Sequence, residues 1–180
     1  MDRRQRKTRE AIFKAFTQLL AKRDFNQITV GEIIHHADVG RATFYAHFET
    51  KEYLLKALCE ELFAHIFDTH SAHDNALFAC DAPDSVFLHL FQHLQKNDNQ
   101  VLQLLSCQNN DLFLQYFRAN LQKLVATQLS AFADRKPDIL PESYWISHIT
   151  ATFVDTLRWW LDNGMKESSE TLAEYFFLAV

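Results

Sequence analysis

Only three glycines and three prolines interrupt 180 residues. Between them, apolar residues recur at helical spacing over long stretches. Turn-rich β architectures need many breakers, and this chain has too few. No Asn-Gly or Asp-Gly pair stands between alternating apolar runs, so hairpins are not expected either. Hydrophobic residues make up 48% of the chain, enough to build a core. The expected fold is all-α, with about nine helices in one or two domains.

The net charge of −5 is divided unevenly. Residues 1–57 hold 11 Lys and Arg against 7 Asp and Glu, a net of +4; residues 58–180 hold 7 against 16, a net of −9. A basic head on an acidic body implies that only the head meets a polyanion. Five of its cations lie close together: Arg3, Arg4, Arg6, Lys7 and Arg9. Taken alone, such a run reads equally well as a solvated, loosely ordered start. The first residues lack the apolar stretch of a signal peptide, and no apolar run is long enough to span a membrane. A cytoplasmic protein is expected. Cys59, Cys80 and Cys107 lack metal-type spacing and read as buried free thiols.

The head reads as short helices. From Lys7 to Arg23, Ile12, Phe13, Phe16, Leu19 and Leu20 mark one face. Asp24 and Asn26 then break the pattern. Thr29-Val30-Gly31-Glu32 has the form of a capping box, opening a helix with Val30, Ile33, Ile34 and Ala37 on one side. It stops near Asp38, and Gly40 supplies a permissive backbone for the turn. A third helix follows, from Arg41 to about Phe48. Phe44 and Phe48 share its buried face; Arg41, Ala42, Thr43, Tyr45 and His47 remain for the other side. Two short helices joined by a tight turn make a helix-turn-helix, whose second helix enters the major groove. Arg41 can bond guanine or phosphate, Thr43, Tyr45 and His47 can bond phosphate, and Ala42 lets a base approach. Thr50 caps a fourth helix, whose Lys51 and free amides suit a phosphate.

Residues 3–56 resemble the DNA-binding domain of the TetR/AcrR family of transcription regulators. The likeness rests on Thr29, Ala37, Val39-Gly40, Thr43-Phe44-Tyr45, His47-Phe48 and Lys51. Gly40 departs from the Ser common in that family before the reading helix. The resemblance implies DNA contacts at Thr29, Gly40, Arg41, Ala42, Thr43, Tyr45, His47 and Lys51. It also implies a DNA-binding domain over residues 1–50 and a regulatory and dimerisation domain over 51–180. The partners so implied are a palindromic double-stranded operator, a second copy of the chain and a small-molecule effector, with no membrane. The Arg-rich start can add phosphate or minor-groove contacts as a basic arm.

The body continues in helices. Leu54, Leu55, Leu58, Leu62 and Ile66 form the stripe of one from Lys51 to about His70. A polar link follows, then helices over residues 85–96, 101–108 and 111–135. The last two helices, from Glu142 and from Ser169, are apolar nearly all round. Such helices need cover on several sides, and a second copy supplies it. The expected dimer interface is Trp145, Ile149, Phe153, Leu157, Trp160, Phe176 and Phe177. The TetR resemblance implies the same, since that family pairs its last two helices in a four-helix bundle. Residues from Leu157 to Glu174 are also similar to the C-terminal region of a TetR branch that includes a coactivator-dependent member.

Phe87, Phe91, Leu104, Phe113, Tyr116 and Phe117 either line an effector pocket or belong to ordinary core; core weighs heavier for any one of them. His65, His70, His73, His89 and His93 invite a metal, and His89 and His93 stand at i, i+4, but no further ligand set completes a site. No phosphate-cradling glycine loop and no Gly-x-Ser-x-Gly elbow is present, so no catalysis and no cofactor are expected. The expected function is a repressor released by an effector in the C-terminal domain. Gating by a protein partner and metal sensing are the alternatives.

Overall fold

The computed structural model describes residues 3–67, 85–96 and 111–180. Among them are eight α-helices: α1 (Arg3–Leu20), α2 (Val30–Ala37), α3 (Arg41–His47), α4 (Lys51–Phe67), α5 (Val86–Lys96), α6 (Asp111–Thr127), α7 (Glu142–Asp162) and α8 (Ser169–Ala179). Two 3-10 segments, Phe25–Gln27 and Leu129–Arg135, follow α1 and α6, and no strand occurs among the described residues. The all-α expectation holds. The expected helix at 101–108 lies outside the described residues, as do His70, His73, Cys80, Leu104 and Cys107.

Two boundaries differ from the sequence reading. The basic start is helical from Arg3 rather than an arm. Arg is a good helix former, and Arg6 pairs with Glu10 one turn on, at 3.7 Å. The helix from Asp111 stops at Thr127 instead of running to Arg135. There the Thr127 hydroxyl donates to the Leu124 carbonyl at 2.8 Å, and the chain tightens into a 3-10 segment.

Helices α1, α2 and α3 form the head. Ile12, Phe13, Phe16, Ile33, Phe44 and Phe48 are fully buried in its core. Helix α4 belongs to both halves. Its first turn meets the head through Lys51 on the Phe25 carbonyl and Tyr53 beside the Phe48 ring, and further along it packs on α5 and α6. Leu54, Leu55, Leu58 and Leu62 make its buried stripe.

The body centres on α7, flanked by α6 and α8, with α5 on α8. The sequence reading assigned Trp145, Ile149, Phe153, Leu157, Trp160, Phe176 and Phe177 to a dimer interface. All but Phe177 are buried inside the single chain, and Phe177 is half-buried. The Phe91 ring stacks on Phe153 at 4.4 Å, and Phe176 meets Phe153 edge-on at 5.2 Å. The Trp160 indole donates to the Glu167 carbonyl at 3.0 Å, closing the turn before α8. The cover for α7 therefore comes from this chain's own helices. A different set faces outward from α7 and α8: Trp159 is 43% exposed, Tyr175 45% and Leu178 83%.

Of the residues read as a pocket, the four phenylalanines are likewise core. Phe87, Phe91, Phe113 and Phe117 are buried, and Tyr116 is half-buried. Phe87 meets Phe132 at 5.4 Å and Phe176 at 5.2 Å. Of this set, Phe113 also borders a cleft of about 300 Å³ shared with Phe25, Asn26, Glu52, Leu55, Asp111 and Leu112.

Candidate DNA-binding site

Helix α2 starts as its sequence requires. The Thr29 hydroxyl oxygen accepts from the Glu32 amide at 3.3 Å, and Glu32 Oε2 accepts from the Thr29 amide at 2.9 Å. Both halves of the capping box are made. The Thr29 hydroxyl donates to the same carboxylate at 2.9 Å, so its proton is engaged within the cap. The Thr29 amide and hydroxyl, helped by nearby Arg23, hold the Glu32 carboxyl below its ordinary range. Arg23 is also ion-paired with Glu32. The sequence reading missed this link, because its two residues lie nine apart across the turn between α1 and α2.

The turn between α2 and α3 departs from expectation in one respect. Its left-handed residue is Asp38, at φ 51°, ψ 49°. Gly40 sits at φ −72°, ψ 151°, which any residue adopts. Asp tolerates the left-handed region because its short polar side chain costs little there. The Val39 amide reaches back to the Ile34 carbonyl at 3.2 Å, closing the end of α2.

Helix α3 is anchored by Phe44 and Phe48, both fully buried. Phe48 meets Phe13 of α1 edge-on at 5.3 Å and lies 6.0 Å from Phe44. Burying such a ring stabilises the fold by about 1.5–3 kcal/mol. With those two positions turned inward, Arg41, Ala42, Thr43 and Tyr45 are exposed, and His47 is half-buried. Tyr45 is 47% exposed, its ring set edge-on against Phe44 at 5.5 Å. Arg3, Arg4, Arg6 and Lys7 are exposed along the start of α1. The head thus carries a short helix with donors outward on a positively charged unit.

Lys51 departs from its expected place as a free phosphate clamp. Its ammonium donates to the carbonyls of Phe25 at 2.7 Å and Ile28 at 2.8 Å. It also lies 4.2 Å from the centroid of the Phe25 ring. Thr50 does cap α4: its hydroxyl accepts from the Tyr53 amide at 3.0 Å.

His89 and His93 are buried on α5, with their Nε2 atoms 3.1 Å apart. Among the described residues, no group of three or more His, Cys, Asp or Glu is placed to hold a metal. No described helix is long and apolar enough to cross a membrane.

Comparison with known proteins agrees with this geometry. The family model described as "Bacterial regulatory proteins, tetR family" matches residues 12–58. A second, "Transcriptional regulator C-terminal region", matches residues 81–180. A TetR transcriptional regulator from Streptococcus agalactiae, of known crystal structure, is 35% identical; the match covers 97% of this chain and 94% of that one, with a TM-score of 0.71. The HTH-type transcriptional regulator YxbF of Bacillus subtilis is 27% identical over 98% of this chain and 45% of its own length. The dhaKLM operon transcriptional activator DhaS of Lactococcus lactis is 36% identical over 36% of this chain and 34% of its own. The chain thus spans less than half the length of these two curated relatives. The capped helix pair, its buried phenylalanine anchors and both family matches lead to one assignment: the chain belongs to the TetR family of DNA-binding transcriptional regulators.

Proposed function

We propose that this chain is a homodimeric repressor. Residues 1–50 read a palindromic operator, and an effector bound in residues 51–180 releases it. The observation that carries the reading is the outward face of α3, where Arg41, Ala42, Thr43 and Tyr45 are exposed over two buried rings. Arg41 reads a base edge or phosphate; Thr43, Tyr45 and His47 fix the helix on the backbone; Ala42 leaves room for a base. Gly40 brings the chain close to phosphate, and the exposed cations of α1 add sequence-independent attraction. Thr29 contributes through the cap it forms at the start of α2.

A dimer places two heads on two half-sites. The surface for it is the outward side of α7 and α8, where the Trp159 and Tyr175 rings lie 5.9 Å apart. An effector releases DNA only by favouring a head spacing that does not fit the operator.

The test is anisotropy with DNA from upstream of the protein's own gene and random DNA, at two salt concentrations. Transcription in vitro from the same fragment follows. Fragment-specific, salt-sensitive binding that lowers transcription is expected. Binding that raises transcription would overturn the repressor assignment; indifference to sequence in a pool selection would overturn operator reading.

A further inference from the structure

A buried N–H group that donates to nothing is costly, so one in a folded protein calls for an acceptor. Trp145, near the start of α7, carries such a group. It is 5% exposed, and among the described residues nothing accepts from its buried Nε1. We propose that the hollow beside it binds a small neutral molecule, a ketone, ester or amide with a compact apolar body, whose carbonyl oxygen accepts from Trp145 Nε1.

The hollow measures about 300 Å³ and lies where the 3-10 segment Leu129–Arg135 meets the start of α7. That is the small end of the range for ligand pockets, roughly 300–1,000 Å³. Its buried walls are Trp145 and Phe132, with Leu129 and Ala133 beside them. The His148 ring stacks on the indole at 5.2 Å and holds it in its plane.

Three features set the chemistry of the occupant. An indole N–H only donates, so the occupant must present an acceptor. The walls around the indole are apolar, so its body must be apolar too. Charge then decides between a neutral acceptor and an anion. Lys136 supplies one positive charge. The start of α7 adds about half a unit, since its N-cap, Pro141, brings no side-chain cap. Against these stand the carboxylates of Asp138 and Glu142 on the same hollow. The rim is therefore slightly negative, which disfavours a carboxylate and leaves an uncharged carbonyl.

The place suits an effector, and in that role the site rests on the reading of the body as effector-binding. An occupant bridges the 3-10 segment and α7. The segment is itself tied to α8 by Arg135, which donates to the Phe177 carbonyl. Both helices of the outward Trp159 and Tyr175 face are thus joined to the site.

The experiment is nuclear magnetic resonance of the full chain, isotope-labelled at nitrogen. The chain has three tryptophans, and the signal missing in Trp145→Phe assigns the Trp145 indole. The probes share one benzene ring and differ in one group: acetophenone, benzoate, benzylammonium and toluene. Acetophenone should move the Trp145 indole proton downfield and saturably, as a newly accepted hydrogen bond does. Toluene and benzylammonium lack an acceptor and should give no downfield shift. Toluene should bind about three- to tenfold more weakly than acetophenone, the worth of one hydrogen bond. Benzoate should also bind more weakly. Ala133 lines the hollow from an exposed position, so Ala133→Leu should fold normally and abolish the acetophenone shift.

A Trp145 indole unmoved by acetophenone overturns the site. So does a shift that persists in Ala133→Leu, which would put the ligand elsewhere. An equal downfield shift from toluene overturns the acceptor role, and tighter binding of benzoate overturns the neutral class. The effector role is read separately, by anisotropy on the upstream DNA fragment with and without acetophenone. Weakened DNA binding supports that role; a moved indole with unchanged DNA affinity overturns the role alone and leaves the site standing.

Discussion

Arg9 of α1 and Glu61 of α4 form an ion pair with Nε and Oε1 2.6 Å apart, joining the head to the helix that leads into the body. The Arg9 guanidinium also lies 4.9 Å from the ring centroids of both Phe13 and Phe48. Both side chains are about three-quarters covered, at 24% exposure each. Glu61 lies ten residues along α4 from Lys51, about 15 Å at the helical rise. The head is thus held to α4 at two separated points.

Burial raises the Glu61 carboxyl above its ordinary value, and Arg9 pulls it partly back. A carboxyl raised in the folded state favours folding while protonated. Its contribution is full below its unfolded value and is lost as pH rises through the folded one. Glu61→Gln should therefore flatten the fall in stability as pH rises above the ordinary carboxylate value. Arg9→Met leaves the carboxylate covered without its cation and should cost about 1–2 kcal/mol at neutral pH, between the values for exposed and buried pairs. Urea unfolding across that pH window measures both. If Glu61→Gln kept the wild-type slope, Glu61 would not be the titrating group.

Capping differs between the two helices of the reading motif. Thr29→Ala removes the hydroxyl half of a made capping box, leaving only the backbone amide of residue 29 on Glu32, and should lower stability by about 1 kcal/mol, or about 2–4 °C in melting temperature. Helix α3 has no side-chain cap, because its N-cap is Gly40. A Cβ at Gly40 would meet Thr43 Oγ1 at 3.6 Å, an ordinary contact. Gly40→Ser should therefore gain a few tenths of a kcal/mol. Calorimetry decides: a lower melting temperature for Gly40→Ser would mean that the turn needs glycine after all.

These two helices also show what a sequence can and cannot reveal. Thr29 and Glu32 lie three apart, and Phe44 and Phe48 four apart, so their pairing is local and could be read directly. The left-handed residue could not be placed as easily, because both Asp38 and Gly40 suit that conformation. Lys51 was legible as a cation at a helix start; its carbonyl partners lie 23 and 26 residues earlier, beyond any local pattern. The body failed for a related reason. Helical periodicity shows that Ile149, Phe153 and Trp160 must be covered, but not by what. The cover is Phe91, Phe176 and their neighbours in the same chain, and the large apolar groups left outward on these two helices are Trp159 and Tyr175.

Cys59 is buried on α4, and burial pushes its thiol far above the ordinary range. The thiolate is the reactive form, so both access and ionisation oppose reaction. Native protein treated with iodoacetamide at neutral pH should remain unmodified at Cys59, as mapped by mass spectrometry of its peptide. The same peptide should be fully modified after unfolding in urea. Rapid native alkylation at Cys59 would show that α4 opens readily from the α5 and α6 side.

The outward side of α7 and α8 separates the two readings of the apolar C-terminal helices. Trp159 and Tyr175 touch across the two helices, and Leu178 follows Tyr175 by three residues on the same side of α8. Large apolar groups exposed together in this way mark a surface that another molecule covers. Trp159→Glu with Leu178→Asp should leave the chain folded, with unchanged helical content, but convert a dimer into monomers in sedimentation. Specific DNA binding should fall with it, because one head grips only one half-site. Phe176→Asp should behave differently: it buries an unpaired charge among Phe87, Phe132 and Phe153 and should unfold the body. If the Trp159 and Leu178 variant stayed a dimer with full affinity, the copies would meet on another face.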